Sequence, residues 1–335
     1  MHVFELTRRL IEIESITENE KKVALFLRDY LAQLNYRVTL KEAAPSRFNV
    51  LALAGQPELV FSTHIDTVPP YIPFREDEQY LYGRGACDAK GILAAQVEAA
   101  QRLRAAGETR FGLLFVVGEE RNSAGALYAN KNPLGSKFLV DGEPTENKLA
   151  IGSKGSLRAE IIARGKAAHS AYPEMGESAI LKLLDLLEEV RQIKFDPDPL
   201  LGETTCNIGI LEGGTKANII ADRARAEIMF RSVVPLERIK TRLEAIAAGR
   251  AEICYAFEVP IVLMNVVDGF DTTVVSFTSD VPFLTHWGRP YLLGPGSILD
   301  AHTDHERISK KQLLEGVDLY VRLASNLLKG YLPSP

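Results

Sequence analysis

The run Ser62-Thr63-His64-Ile65-Asp66-Thr67 sets an imidazole and a carboxylate two residues apart, directly after the apolar stretch Leu59-Val60-Phe61. Imidazole is a standard zinc ligand, and a carboxylate on its other ring nitrogen would fix the tautomer and strengthen the donor. Alone, such a pair is usually a solvated turn; here four more clusters follow apolar runs or glycines. Gly83-Arg84-Gly85-Ala86-Cys87-Asp88-Ala89-Lys90-Gly91 holds one aspartate in a glycine-rich loop ahead of a helical pattern. It lacks both the third glycine of a dinucleotide loop and P-loop spacing. A metal site is the better reading, with glycines letting the backbone approach an ion and Asp88 able to bridge two cations. Glu119 and Glu120 end the apolar run Leu113-Leu114-Phe115-Val116-Val117. Alternation aims neighbouring side chains differently, so one can bind metal while the other stands free as a general base. Asp141 and Glu143 follow Leu139-Val140, and Gly294-Pro295-Gly296-Ser297 precedes Ala301-His302-Thr303-Asp304-His305-Glu306.

Hydrophobic periodicity indicates the elements that must position these groups. A first helix spans about 2–14. A second starts at Thr17-Glu18-Asn19-Glu20, which reads as a capping box, and carries Val23, Phe26, Leu27, Tyr30, Leu31 and Leu34 on one face. Strands are expected at 36–41, 49–54, 59–62, 112–117 and 138–140, with a helix over 91–106. Continuous apolar strands separated by helices imply an α/β sheet covered on both faces, with ligand sites beyond the strand ends. From about Ser156 the pattern becomes β-α-β-β-α-β: strands near 157–163, 205–211, 223–231 and 251–258, helices near 178–190 and 236–247. That is the order of a ferredoxin-like α+β domain. A helix over 310–328, capped by Ser309, closes the chain. The expected division is 1–155 with 266–335 as one domain and 156–265 as a second, inserted domain.

At 335 residues the chain exceeds one ordinary core, consistent with two domains. A net charge of −5 argues against a nucleic-acid partner, and no stretch reaches the roughly 18 apolar residues of a membrane span. The opening residues lack a signal-peptide pattern, and Cys87, Cys206 and Cys254 form no C-x-x-C pair. A reduced, cytoplasmic setting is therefore expected. His2 is expected to be a disordered terminal residue, His286 a packed or surface one, and Cys87 a buried small side chain.

These motifs, in this order, resemble the zinc-dependent aminoacylase and exopeptidase family that contains acetylornithine deacetylase, succinyl-diaminopimelate desuccinylase and glutamate carboxypeptidase. The resemblance covers essentially the whole chain. It implies a zinc-exopeptidase-like α/β catalytic domain with an inserted lid, and two Zn2+ ions for which Co2+ can substitute. His64, Asp88, Glu120, Glu143 and His302 would be the ligands, with Asp88 bridging and the Asp88–Ala89 peptide cis. Glu143 is preferred to Asp141 for its role. Asp66 would orient His64, and Glu119 would be the general base. Gly165-Lys166-Ala167-Ala168-His169 resembles the lid segment whose histidine stabilises the oxyanion and, in dimeric relatives, reaches the partner's site. Asn218, in Gly213-Gly214-Thr215-Lys216-Ala217-Asn218, and Arg231 would contact the substrate, Arg231 through its carboxylate unless it forms a salt bridge inside the lid. Gly296 would line the pocket. His305 departs from the family pattern, where an acidic residue usually stands.

The resemblance is greatest to acetylornithine deacetylase, which implies hydrolysis of an Nα-acyl amino acid and a role in arginine biosynthesis. A succinylated diamino acid or a short peptide is the alternative substrate, and a non-catalytic metal-binding relative the alternative class. The lid helix carries more apolar residues than one small sheet must cover, so a homodimer through the lid is expected.

Overall fold

A computed structural model describes residues 1–330. They form two compact units: Met1–Ile151, Met264–Thr273 and the chain from Ser279 onward make the larger, Gly152–Leu263 with Val274–Thr278 the smaller. The crossings lie at 151/152 and 263/264, against 155/156 and 265/266 expected from sequence. Residues 274–278 return to the smaller unit. So short a return carries no hydrophobic period to announce it.

The larger unit is built on a six-stranded sheet, in the order Arg37–Ala44, Arg47–Leu53, Phe111–Val116, Leu59–His64, Phe138–Asp141, Arg289–Leu292. The last four strands are mutually parallel, and Arg47–Leu53 runs antiparallel to its neighbours on both sides, Arg37–Ala44 and Phe111–Val116. His64 lies opposite Val116, and Asp141 lies opposite both Ser62 and Leu292. Four carboxyl ends therefore meet at one edge, where loops of an α/β sheet build ligand sites.

Alternation explains why these strands read as unbroken apolar runs. Leu59, Phe61, Phe111, Leu113 and Phe115 enter a core shared with the helices Val3–Glu12, Lys90–Ala105 and Lys310–Leu328; Val60, Leu114, Val116 and Leu139 enter a second core with Ala126, Leu284 and Trp287. Phe61 meets Tyr320 edge-on, with ring centroids 5.7 Å apart. The helix Lys90–Ala105 is buried around most of its circumference and is correspondingly rich in alanine. Its Gly91 is required, because a Cβ there would lie 2.3 Å from the Ala86 carbonyl oxygen.

The smaller unit is an antiparallel sheet ordered Thr205–Gly213, Arg223–Ser232, Gly155–Arg164, Ala251–Val259. Helices Ala179–Arg191 and Leu236–Ala247 cover one face, packing Leu183, Leu187, Ile239 and Leu243 on Leu157, Ile161, Ile228 and Phe230. This is the ferredoxin-like order expected from sequence. Ser178 and Ser309 cap their helices through their side-chain oxygens.

Two local expectations are corrected. The second helix begins at Lys21 with Glu20 as N-cap and no side-chain capping bond. Glu18 has φ 82°, and the Thr17 hydroxyl donates to Asp66 instead, so the capping box does not form. His2 is ordered as the N-cap of the first helix, its Nδ1 3.5 Å from the Phe4 nitrogen.

Candidate metal centre

The carboxyl edge gathers His64, Asp88, Glu143 and, beside them, Glu120 and His302. The nitrogen or oxygen atoms of His64, Asp88 and Glu143 all lie within 4.8 Å of one another, as do those of Asp88, Glu120 and His302. Asp88 belongs to both groups: its Oδ1 is 3.0 Å from His64 Nε2, and its Oδ2 is 3.2 Å from His302 Nε2. His302 Nε2 also lies 3.0 Å from Glu120 Oε2. Glu143 rather than Asp141 joins the first group. Chain geometry accounts for each placement. His64 is the last residue of its strand, Glu120 follows the turn at Gly118 (φ 82°), and Asp88 sits at a cis Asp88–Ala89 peptide at the mouth of a helix.

Asp66 stands beside the His64 ring with both its backbone and its carboxylate. His64 Nδ1 bonds at 2.9 Å to the Asp66 backbone carbonyl, while the Asp66 carboxylate stands 3.6 Å away. That carboxylate accepts from the N–H groups of Gly118 (2.9 Å), Glu119 (3.2 Å) and Glu120 (3.3 Å) and from the Thr17 hydroxyl (2.9 Å). The histidine needs an acceptor and the main chain provides one, which frees the carboxylate for the loop opposite.

Electrostatics make this edge a cation site. Burial and the neighbouring charges of Asp280, Glu120 and Asp88 push Glu119 well above the usual carboxylate range, against the pull of His64. Burial, with Glu119 and Asp88, raises Glu143, and burial with Asp88 raises Glu120. Asp141 and Asp280 are pushed up to about 8 and about 7, burial leading in both cases. Asp88 is instead held low, where its bonds to His302 and His64 outweigh burial. Hydrogen bonds to Asp88 and Glu120 in turn lift His302 to about 10. Among the described residues, no lysine or arginine forms an ion pair with Asp88, Glu119, Glu120 or Glu143. A crowd of buried carboxylates with two imidazoles and no basic partner is a donor set that fits divalent cations.

The other expected site residues divide between the units. Gly296 (φ 95°) lies in the larger, where a Cβ on it would meet the Cys87 Cβ at 2.8 Å beside Asp88. His169, Asn218 and Arg231 lie in the smaller. The exposed His169 accepts from the Ala171 N–H at 3.1 Å and pairs by backbone with Ile219; the Asn218 carbonyl accepts from Ser170. Half-buried Arg231 donates to Ser156 Oγ at 3.3 Å and, among the described residues, has no carboxylate partner, which removes the salt bridge considered for it. Cys87 is buried, and no cysteine is bridged.

Arg84 and Asp280 were not singled out from sequence. Arg84 is buried and paired at 2.8 Å with Glu306, whose other oxygen accepts from the Cys87 and Asp88 N–H groups at 3.2 Å each. This pair anchors the Asp88 loop; a charged residue set between two glycines was its one signal. Asp280 is buried near Glu119 and Ser123, and neither of its oxygens accepts a hydrogen bond of ordinary geometry among the described residues; a lone loop aspartate gives no sign of that in sequence. Among the described residues, no helix is long and apolar enough to cross a membrane.

Residues 60–326 match the profile of peptidase family M20/M25/M40. The chain is 38% identical to a peptidase M20 domain-containing protein of Schizosaccharomyces pombe, over 96% of this chain and 84% of that one. It is 37% identical to a probable carboxypeptidase of Aspergillus flavus, over 96% and 86%. A tripeptidase from Staphylococcus aureus superposes with a TM-score of 0.81 at 25% identity, covering 96% of each chain. The chain belongs to peptidase family M20/M25/M40 and is a metal-dependent hydrolase.

Proposed function

We propose that the protein is a two-zinc exopeptidase-type amidase whose substrate is a short peptide or an Nα-acyl amino acid with a free carboxylate. The observation that carries this reading is the sharing of Asp88 between two ligand groups with Glu119, outside both, beside them. His64, Asp88 and Glu143 would hold one cation; Asp88, Glu120 and His302 the other. Co2+ suits the same nitrogen and oxygen donors. When bound, such a pair supplies Lewis acidity to a water and to the scissile carbonyl.

The chain's own residues do the rest. Glu119, half-buried among carboxylates that raise its proton affinity, takes one proton from the attacking water. The water oxygen bonds to the carbonyl carbon as the carbonyl π bond opens to an oxyanion, and the C–N bond breaks afterwards. Glu119 returns the proton to the departing nitrogen, which leaves as a neutral amine; the other product is a carboxylic acid, which ionises by passing the water's second proton to the amine or to solvent. His169 is the proposed donor to the developing oxyanion. Arg231, without a carboxylate partner among the described residues, suits bidentate capture of the substrate carboxylate, with Asn218 assisting.

The relatives named as carboxypeptidases support the peptide end of this substrate class. Nα-acetylornithine, and with it a place in arginine biosynthesis, is the second reading. It rests on the Gly294–Ser297 turn, which packs through Gly296 on Cys87 beside Asp88. The smaller unit would act as lid and as dimer surface. Its helix exposes Leu181 and Leu184, and its edge strand Thr205–Gly213 exposes Ile210 and Leu211, apolar area that a second copy would cover. The test is a hydrolysis screen of zinc-loaded protein against Nα-acetyl and Nα-succinyl amino acids, dipeptides and tripeptides. Turnover of at least one class is expected; turnover of none would overturn the reading.

A further inference from the structure

The segment Ser15–Glu20 joins the first two helices and precedes the residues matched by the family profile. It is tied to the catalytic edge of the sheet rather than to the helix it introduces. Ser15 Oγ donates to the Ile65 carbonyl at 2.8 Å, Thr67 N–H to the Ser15 carbonyl at 3.0 Å, and Thr17 N–H to the Thr67 carbonyl at 3.1 Å. These bonds lay Thr17 against Asp66, and its hydroxyl donates to Asp66 Oδ2 at 2.9 Å. At the far end of the segment, Glu20 forms a buried ion pair with Arg47, and Arg47 Nη2 lies 2.8 Å from where a Cβ on Gly118 would sit.

Asp66 is thereby enclosed by donors. Oδ1 accepts from the Gly118 and Glu119 N–H groups, and Oδ2 from Glu120 N–H and the Thr17 hydroxyl. Successive peptide N–H groups converging on one carboxylate form an anion-binding nest, which holds the backbone as firmly as the carboxylate itself is held. Among the described residues, Thr17 is the only side chain giving that carboxylate a hydrogen bond shorter than 3.5 Å.

We infer that Thr17 is a positioning residue: through Asp66 it sets the turn that carries Glu119 and Glu120. The inference rests on reading those two residues as base and ligand. Without the hydroxyl, Oδ2 keeps only the bond from Glu120 N–H, which at 3.3 Å is the longest of the four. The loss therefore falls on the Asp88, Glu120 and His302 group and on Glu119, while His64, Asp88 and Glu143 keep their own supports.

The test compares wild type, Thr17→Val and Thr17→Ser. Chelator-treated protein is titrated with Co2+ and followed by visible absorption, alongside thermal unfolding of the metal-free forms. kcat and KM are measured on the best substrate from the hydrolysis screen. Thr17→Val should bind its first cobalt equivalent as wild type does and its second at least about tenfold more weakly. Its kcat should fall by roughly tenfold or more with KM nearly unchanged, a tenfold loss being about 1.4 kcal/mol. Thr17→Ser, which keeps the donor, should restore both. If valine prevents folding, Thr17→Ala is read in the same way. Wild-type affinity for both equivalents in Thr17→Val would overturn the inference, as would equal weakening of both with a lowered melting temperature. If the wild-type protein hydrolyses no substrate, the functional reading fails, while the cobalt titration still decides the role of Thr17.

Discussion

Removing the metal should reverse the direction in which pH changes stability. In the folded chain Asp141 titrates at about 8 and Asp280 at about 7, both lifted chiefly by burial. A folded carboxyl that holds its proton above its unfolded pKa gains stability as pH falls, by about 1.4 kcal/mol per unit. Charged Asp280 is one cause of the rise in Asp141, so protonating the first relieves the second. Glu119, Glu120 and Glu143, lifted likewise, act in the same sense, so the share of a single group, about 3 kcal/mol between pH 7 and pH 5, is the least to expect. His64 and His302, also raised, act in the same sense above their ordinary pKa. Asp88, held low, opposes only below the ordinary aspartate range. Lys90, pressed by burial down to about 7, opposes only above that pH. With zinc bound, the carboxylates must be ionised and the imidazoles neutral, so acid competes with the metal. Thermal unfolding at pH 5, 6 and 7, with chelator or with zinc, checks this. The melting temperature of the metal-free protein should rise by several degrees toward pH 5 while that of the loaded protein falls. Movement of both forms in the same direction would refute the reasoning.

Three further outcomes are expected. His302→Ala should lower bound zinc from two equivalents to one, measured by elemental analysis, because the Asp88, Glu120 and His302 group loses its only nitrogen while the His64 group stays intact. The proposed lid dimer predicts that the wild type elutes as a dimer in gel filtration and Leu181→Lys with Leu184→Lys as a monomer, since both side chains are exposed within one chain. Phe61→Ala should cost about 3–5 kcal/mol in denaturant unfolding, because its ring is fully buried against Phe111 and Tyr320.

Much of the site was legible because it is written where strands end. His64, Glu119, Glu120 and Glu143 each follow an apolar run, and the parallel sheet brings those ends together. Both faces of that sheet are covered, so its strands announce themselves by hydrophobicity alone. The inserted domain was legible from its β-α-β-β-α-β order and from alternation such as Ala224, Ala226, Ile228 and Phe230. What remained hidden depends on long-range hydrogen bonds. Thr17 looked like a helix cap because threonine and glutamate at that spacing satisfy a first turn; Asp66, forty-nine residues on, competes for the same hydroxyl and wins. His64 and Asp66 read as a ring with its orienting acid, and no sequence pattern announces the backbone carbonyl that lies closer to Nδ1 than the carboxylate does. The ion pair of Arg84 with Glu306 spans most of the chain, and no local pattern marks its two ends as partners.

The most direct test of a two-cation hydrolase with Glu119 as proton carrier measures metal content and turnover together in wild type and Glu119→Gln. Glu119 lies outside both ligand groups, so the glutamine variant should keep two zinc equivalents and a wild-type melting temperature. Its kcat on the substrate found by the hydrolysis screen should fall by roughly 10²- to 10⁴-fold. A variant with two equivalents bound and undiminished turnover would contradict the account.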